Sequence, residues 1–458
     1  MQAPIDDDRT PRPRPRVGLL TLGCDKNTVD NEYLAALLED GGCELALDRD
    51  GDAPLDAAVV TTCGFIGPAT EQSIDAIVEL ADRKRRLGDP RRLYVAGCLS
   101  QRHGEELMRR IPEIDGLVGV GRFERLAEMI LAGDGRTGAE VDPKPSVDIY
   151  RLMRRRALDD RPHGFLRLSD GCNHGCSFCS IPIMKGRLRS APPEVLLGEA
   201  RALVDRGARE INLIAQDLSA YGTDLGPRWR LPRLLAELCR IEGDFWIRCL
   251  YVYPGQVTDE LLEVMAGEPK VVPYLDLPLQ HVVPAVLRRM RRPFHERNTA
   301  QLVERLREAV PGVTLRTAMI VGFPGETAAD HRAMLEAIER LRFDRLGAFE
   351  YSSEEGTEAA AMTPRVSPRV RRRRWHAVMS VQAPIALEKN RERVGRVERV
   401  LVEGRAPERD CWVGRGVAEA PDIDGSIFVH SERPLAAGDF VRARIERAEP
   451  YDLVARAE

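Results

Sequence analysis

Short apolar runs alternate with amphipathic stretches along most of the chain. In the first third the runs are Val17–Gly23, Cys43–Leu47, Ala57–Thr62, Leu93–Gly97 and Gly116–Val120. Each has strand length and ends in turn residues. Between them, Thr70–Lys84 places Ile74, Ile77, Val78 and Ala81 at i, i+3, i+4 and i+7, the stripe of a helix with one buried face. This alternation predicts a doubly wound parallel sheet. A longer alternation follows, with strands expected at Gly164–Ser169, Glu210–Ala215, Phe245–Tyr251, Val271–Leu277, Val313–Val321 and Arg345–Tyr351. Six strand–helix units predict an open barrel rather than an eight-fold one. Near the end the period changes. Val397–Val402, Cys411–Val417, Ser426–Val429, Phe440–Ile445 and Tyr451–Ala455 are short runs between turn residues, as in a small antiparallel β-barrel.

These shifts divide the α/β chain into a polar, Pro/Arg-rich arm at 1–16, expected to be disordered, and an α/β domain at 17–140. Periodicity weakens over 133–162, which places a linker at 141–162. An open barrel spans 163–392 and a β-domain 393–458. Ser367-Pro368 is a helix-start signature; that helix should reach Asn390, with Pro384 kinking it.

Composition narrows the function. The 458 residues are 43% hydrophobic and 31% charged, which are globular values. A net charge of −4 provides no dominant footprint for nucleic acid. No apolar run approaches the roughly 18 residues of a membrane span, and the first residues contain no apolar signal core. A cytoplasmic protein is expected, in which ten cysteines serve as ligands, catalysts or buried thiols rather than disulfides.

The cysteines carry the chemistry. Cys172, Cys176 and Cys179 lie within eight residues, directly after an expected strand. Such a loop can wrap three thiolates around a 4Fe–4S cube and leave one iron open. The alternative is zinc held by the three cysteines and His174; it lacks the usual second knuckle, since the next cysteines are Cys239 and Cys249. Cys24, Cys63 and Cys98 each follow an expected strand. Ligands bind at the carboxyl ends of strands in open parallel sheets, so these three can form a second cluster; three unrelated buried thiols is the alternative. Cys43, Cys239, Cys249 and Cys411 read as core thiols.

Cys172 to Cys179 resembles the radical S-adenosylmethionine motif. With the three upstream cysteines and the terminal β-domain, the chain resembles a methylthiotransferase over about residues 17–458. The similarity is to the RimO-type branch, through Leu22–Asn27, Thr62–Ile66, Gln216–Gly222, Tyr251–Pro254, Leu277–His281 and Ala420–Gly425. Departures are Thr61, where the family usually has Asn, and Pro384.

The resemblance implies a radical-SAM barrel, a terminal TRAM-like domain, two 4Fe–4S clusters and S-adenosylmethionine. Cys172, Cys176 and Cys179 would hold the cluster that binds and cleaves the cofactor to a 5′-deoxyadenosyl radical. The radical would remove a hydrogen from the β-carbon of an aspartate in ribosomal protein S-twelve, free or on the small ribosomal subunit. Cys24, Cys63 and Cys98 would hold the cluster that delivers methylated sulfur. Phe178, Gln216 and Arg316 are candidate cofactor contacts. His281 and the glycines of Gly322–Glu326 read as structural. A flavodoxin- or ferredoxin-like donor is implied.

Two other functions compete: methylthiolation of a tRNA adenosine, and a non-catalytic iron–sulfur carrier or RNA adaptor. Residues 393–458 contain eleven Arg, no Lys and thirteen Asp or Glu, a formal charge of −2. A tRNA-binding barrel would normally be basic, whereas a slightly acidic one suits a basic ribosomal protein. The Arg371–Arg374 run is expected to be a solvated, ion-paired surface.

Overall fold

A computed structural model describes residues 14–46, 53–133, 138–145, 154–292, 296–407 and 409–458. Most of the arm expected at 1–16 and the middle of the linker expected at 141–162 lie outside the described residues. The chain divides into two compact units, one up to residue 145 together with 154–159, the other from Asp160 to Glu458.

The first unit runs β1 (Arg16–Thr21), α1 (Asp25–Asp40), β2 (Glu44–Ala46), β3 (Ala57–Thr62), α2 (Gly67–Leu87), β4 (Arg92–Gly97), α3 (Cys98–Arg110), β5 (Ile114–Val118), α4 (Phe123–Ala132) and β6 (Gly138–Glu140). Its six strands form a parallel sheet in the order β2-β1-β3-β4-β5-β6. The order reverses beside β1, the kind of switch point where open sheets bind ligands. β6 is an edge strand inside the stretch read as weakly periodic. At three residues it is too short to show a period.

Helix α2 corrects one expectation. Ile77 and Ala81 are buried, but Ile74 and Val78 are 36% and 48% exposed. The inward position beside them belongs to Ser73, fully buried. Its hydroxyl accepts from Cys63 N at 3.0 Å and donates to Ala69 O at 2.8 Å. A polar anchor turned the helix away from its most apolar face.

The second unit begins with β7 (His163–Arg167), β8 (Ser169–Asp170), α5 (Ile181–Lys185), β9 (Arg189–Ser190), α6 (Pro193–Asp205), β10 (Glu210–Ile214), α7 (Leu231–Cys239), β11 (Trp246–Cys249), α8 (Asp259–Gly267) and β12 (Val271–Asp276). It continues with α9 (Pro284–Arg289), α10 (Glu296–Ala309), β13 (Thr314–Val321), α11 (Ala328–Leu341), β14 (Arg345–Glu350) and α12 (Pro368–Arg391). The order β14-β13-β12-β11-β10-β7 is all parallel and open, the partial barrel the sequence predicts. Alternate strand residues such as Leu166, Ile211, Ile247, Leu275 and Leu315 enter the helix-side core. The intervening ones, including Glu210, Arg248, Asp276 and Arg316, therefore face the other way. Helix α12 continues through Pro384. The arginine run is not all surface: Arg374 is buried against Glu326 at 3.2 Å, and Arg371 donates to Tyr351 O at 2.5 Å.

Strands β15 (Val397–Arg405), β16 (Trp412–Arg415), β17 (Ile427–His430), β18 (Phe440–Ala448) and β19 (Leu453–Ala457) close a five-stranded barrel. All pairings are antiparallel except β17 with β19. Its buried charges meet those of the open barrel. Arg415 lies 2.6 Å from Glu210, Arg345 lies 2.8 Å from Glu419, and Arg248 donates to Val417 O at 2.7 Å.

Candidate functional site

The loop Cys172–Cys179 leaves the β8–β9 ribbon, whose antiparallel pairing fixes its stem. Cys172 N donates to Gly186 O at 3.2 Å, and Asn173 Oδ1 accepts from Leu188 N at 3.2 Å. The far side is held by Ser177, whose N–H reaches Met290 O at 3.1 Å and whose hydroxyl reaches Arg289 O at 2.7 Å. Ala359 N donates to Ser177 O at 2.8 Å. Gly186, Leu188, Arg289, Met290 and Ala359 therefore fix eight residues of irregular backbone.

The three thiols interact electrostatically with one another. Burial pushes Cys172 up to about 11 and Cys179 up to about 12. Without a metal Cys172 and Cys179 stay protonated at neutral pH, and binding an iron–sulfur cluster requires proton release from both. The donor set fits such a cluster, because each sulfur also meets an N–H group. His174 N lies 3.4 Å from Cys172 Sγ and Arg292 Nη1 lies 3.6 Å from Cys176 Sγ. Cys179 is bonded by the backbone at Ile181.

The zinc alternative requires His174 as its fourth ligand. His174 Nε2 is 2.6 Å from Asp217 Oδ2, and its ring stacks on Tyr253 at 4.0 Å. Among the described residues no three His, Cys, Asp or Glu side chains gather closely enough for a single ion.

Asp170, just before the loop, is fully buried. Burial alone would raise its carboxyl, but Lys185 at 3.0 Å and Arg167 at 3.2 Å hold it below the usual range. It accepts Gln216 Nε2 at 2.7 Å. Gln216 thus stands at the exit of β10, and its buried Oε1 has no hydrogen-bond partner among the described residues. Phe178 packs with Val286, Leu287, Met290 and Phe323, meeting Phe323 edge-on at 6.5 Å.

Arg316, the third candidate cofactor contact, is held by carboxylates. It is the third residue of β13, well before that strand's exit. It lies 2.8 Å from Asp276 and 3.6 Å from Asp424 of the closed barrel. It lines a cavity of about 420 Å³ with Gly347, Gln382 and Tyr451.

His281 is fully buried, and burial pushes its imidazole down to about 4, so it stays neutral. Nδ1 accepts from Val283 N at 3.0 Å, as a structural residue would. Tyr251 and Gln280, both in the motif segments, hold left-handed backbone at φ 62° and 72°. Such strain costs about 1–3 kcal/mol and clusters at functional sites.

In the first unit, Cys24, Cys63 and Cys98 sit just beyond β1, β3 and β4. A Cβ on Gly23 (φ 98°) would lie 2.5 Å from Cys63 Cβ, and one on Gly64 would lie 2.9 Å from Leu99 Cα. Only glycine allows these two approaches, which bring the three strand exits together. Asn27 Nδ2 ties two of them, donating to Leu22 O at 2.6 Å and Thr62 O at 3.1 Å. Arg102 donates to Gly64 O at 2.8 Å. Cys24 is exposed while Cys63 and Cys98 are buried, so the group opens on one side.

Asn27→Ala should strand two carbonyl acceptors and lower stability by about 1–3 kcal/mol. Urea unfolding of the full chain measures this, and the bound iron per chain should fall with it.

Sequence reasoning missed Ser73, Asp217, Tyr253 and Arg292. Tyr253 lay within a quoted motif segment; Arg292 gave no signal, since its role depends on a fold contact with Cys176.

The Radical SAM superfamily matches residues 166–338, an uncharacterized protein family, UPF0004, matches 16–119, and the TRAM domain matches 394–457. The chain is 45% identical over 447 residues to ribosomal protein uS12 methylthiotransferase RimO of Desulforudis audaxviator, covering 96% of each. It is 43% identical to the Geobacter sulfurreducens protein of the same name, covering 96% of this chain and 98% of that one. Among solved structures, the radical S-adenosylmethionine methyltransferase TsrM from Kitasatospora setae superposes with a TM-score of 0.56 at 15% identity, over 81% of this chain and 89% of that one. That likeness is one of fold. No helix among the described residues is long and apolar enough to cross a membrane.

Proposed function

The chain belongs to the ribosomal protein uS12 methylthiotransferase family, and from that premise we infer that it adds a methylthio group to the β-carbon of an aspartate in that ribosomal protein. Cys172, Cys176 and Cys179 hold one 4Fe–4S cluster, and Cys24, Cys63 and Cys98 hold a second. Bound clusters and S-adenosylmethionine supply the one-electron and sulfur chemistry that acid–base side chains cannot bring to an unactivated carbon.

The chain's own residues do the positioning. The Asp170–Gln216 bond sets an amide at the exit of β10, where barrel enzymes contact their ligands. The Glu326 carboxylate accepts Phe323 N at 3.1 Å and holds the Gly322–Glu326 turn. Phe178 shields the loop's apolar side. A flavodoxin- or ferredoxin-like carrier donates the electrons, in the cytoplasm. An α/β domain at 17–140, an open barrel at 163–392 and a β-domain at 393–458 belong to the same reading.

The observation that carries this reading is the cysteine loop with an N–H donor at each sulfur. The charge of −2 on residues 393–458 favours a basic protein over tRNA as the partner. Mass spectrometry of ribosomal proteins from cells lacking the gene tests it. The methylthio mass increment on uS12 should disappear; its persistence would overturn the assignment. A methylthio-adenosine lost from tRNA instead would establish the other substrate.

A further inference from the structure

Two of the three N–H groups at the cysteine sulfurs are backbone groups, at His174 within the loop and at Ile181 at the start of α5. The third is a charged side chain from another element. Arg292 lies just beyond α9 and is only 8% exposed. Nη2 donates to Pro278 O at 2.7 Å, Nη1 reaches Cys176 Sγ at 3.6 Å, and the guanidinium lies 4.5 Å from the Tyr253 ring centroid. Tyr253 in turn stacks with His174 of the same loop.

We propose that Arg292, clamped by Pro278 and Tyr253, sets the reduction potential of the cluster held by Cys172, Cys176 and Cys179. This rests on the cluster assignment proposed above. Hydrogen bonds to cysteine sulfurs and local charge are the protein's means of tuning such clusters. Reduction adds one negative charge, and a buried cation donating to a ligand sulfur stabilises the reduced form more than the oxidised one. The two other donors are backbone groups that every side chain at those positions would supply, so Arg292 is the adjustable member. It is a positioning and tuning residue, with no contact to substrate required.

The test compares wild type, Arg292→Gln and Arg292→Lys in the full chain, reconstituted anaerobically. Cys24, Cys63 and Cys98 are all replaced by Ala so that one cluster is read. Iron and sulfide are counted, and the reduced-cluster resonance is followed in a potentiometric titration. Arg292→Gln should lower the midpoint so that the reduced-to-oxidised ratio at the wild-type midpoint falls roughly tenfold, which is 59 mV for a one-electron couple. Arg292→Lys should recover at least half of that shift. A fully loaded Arg292→Gln protein with an unchanged midpoint overturns the proposal.

If Arg292→Gln does not load, Tyr253→Leu decides. Tyr253→Leu keeps the charge but removes the clamp, and an intermediate negative shift supports the proposal. A wild-type midpoint in the loaded Tyr253→Leu protein overturns it. Absence of iron and sulfide from the otherwise wild-type loop would instead refute the cluster assignment.

Discussion

Cys63→Ala should leave reductive cleavage of S-adenosylmethionine near the wild-type rate while abolishing methylthiolation; Cys176→Ala should abolish both. The two cysteines belong to different compact units and to different thiol groups. Cys176 is the middle ligand of its loop, and without it two thiolates cannot hold a cluster with its open iron in place. Cys63 serves the other group. Its backbone is held independently of its sulfur, because Ser73 Oγ bonds both Cys63 N at 3.0 Å and Cys63 O at 3.1 Å. Losing one buried sulfur should therefore leave the unit folded, at a cost of about 1 kcal/mol. Chromatography of 5′-deoxyadenosine and mass spectrometry of the protein substrate separate the two activities. Cleavage surviving in Cys176→Ala, or methylthiolation surviving in Cys63→Ala, would remove the corresponding trio from the mechanism.

Glu419→Ala should destabilise the second unit by about 3–5 kcal/mol, the cost of breaking a buried ion pair from one side. Glu419 is 1% exposed. It receives Arg345 Nη2 at 2.8 Å, Gly416 N at 3.0 Å and the guanidinium of Arg393. Without it, Arg345 of the open barrel and Arg393 at the start of the terminal domain both lose their main counter-charge in a water-poor site. Glu210, fully buried, is the second such centre, with Arg248 at 2.7 Å and Arg415 at 2.6 Å. Truncation at residue 393 would expose both centres, so it tests folding before it tests recognition.

The same network fixes a pH dependence. Burial alone would raise both carboxyls, but Arg415 and Arg248 hold Glu210 at about 2, and Arg393 and Arg345 hold Glu419 at about 2. The unfolded value is about 4.5. A carboxyl held low in the folded state contributes stability that is fully present above pH 4.5 and lost as the pH falls toward 2. The stability advantage of wild type over Glu419→Gln should therefore be constant near neutrality and shrink below pH 4.5. A thermal-unfolding series over pH 2–7 measures it, and an advantage independent of pH would show that folding leaves the Glu419 carboxyl at its unfolded value.

The strands were legible because a buried parallel strand is a short apolar run whatever surrounds it. Ala57–Thr62 was read residue for residue. The cysteine loop was legible because three thiols at fixed spacing have few uses in one segment. Helix α2 was half misread, since apolar spacing cannot reveal that a serine would bond the backbone of Cys63 and choose the buried face. The arginine run was misread at Arg374 for a related reason: an arginine's role depends on which carboxylate the fold delivers to it.

By itself, then, the chain determined its periods, its element order and the positions of its thiols, all properties of neighbours in sequence. Tertiary structure decided which buried charges meet. Glu210 finds Arg415, and Arg292 finds Cys176, across separations of 205 and 116 residues. A local pattern cannot encode such pairings, because their energy exists only once folding has excluded water from between the partners.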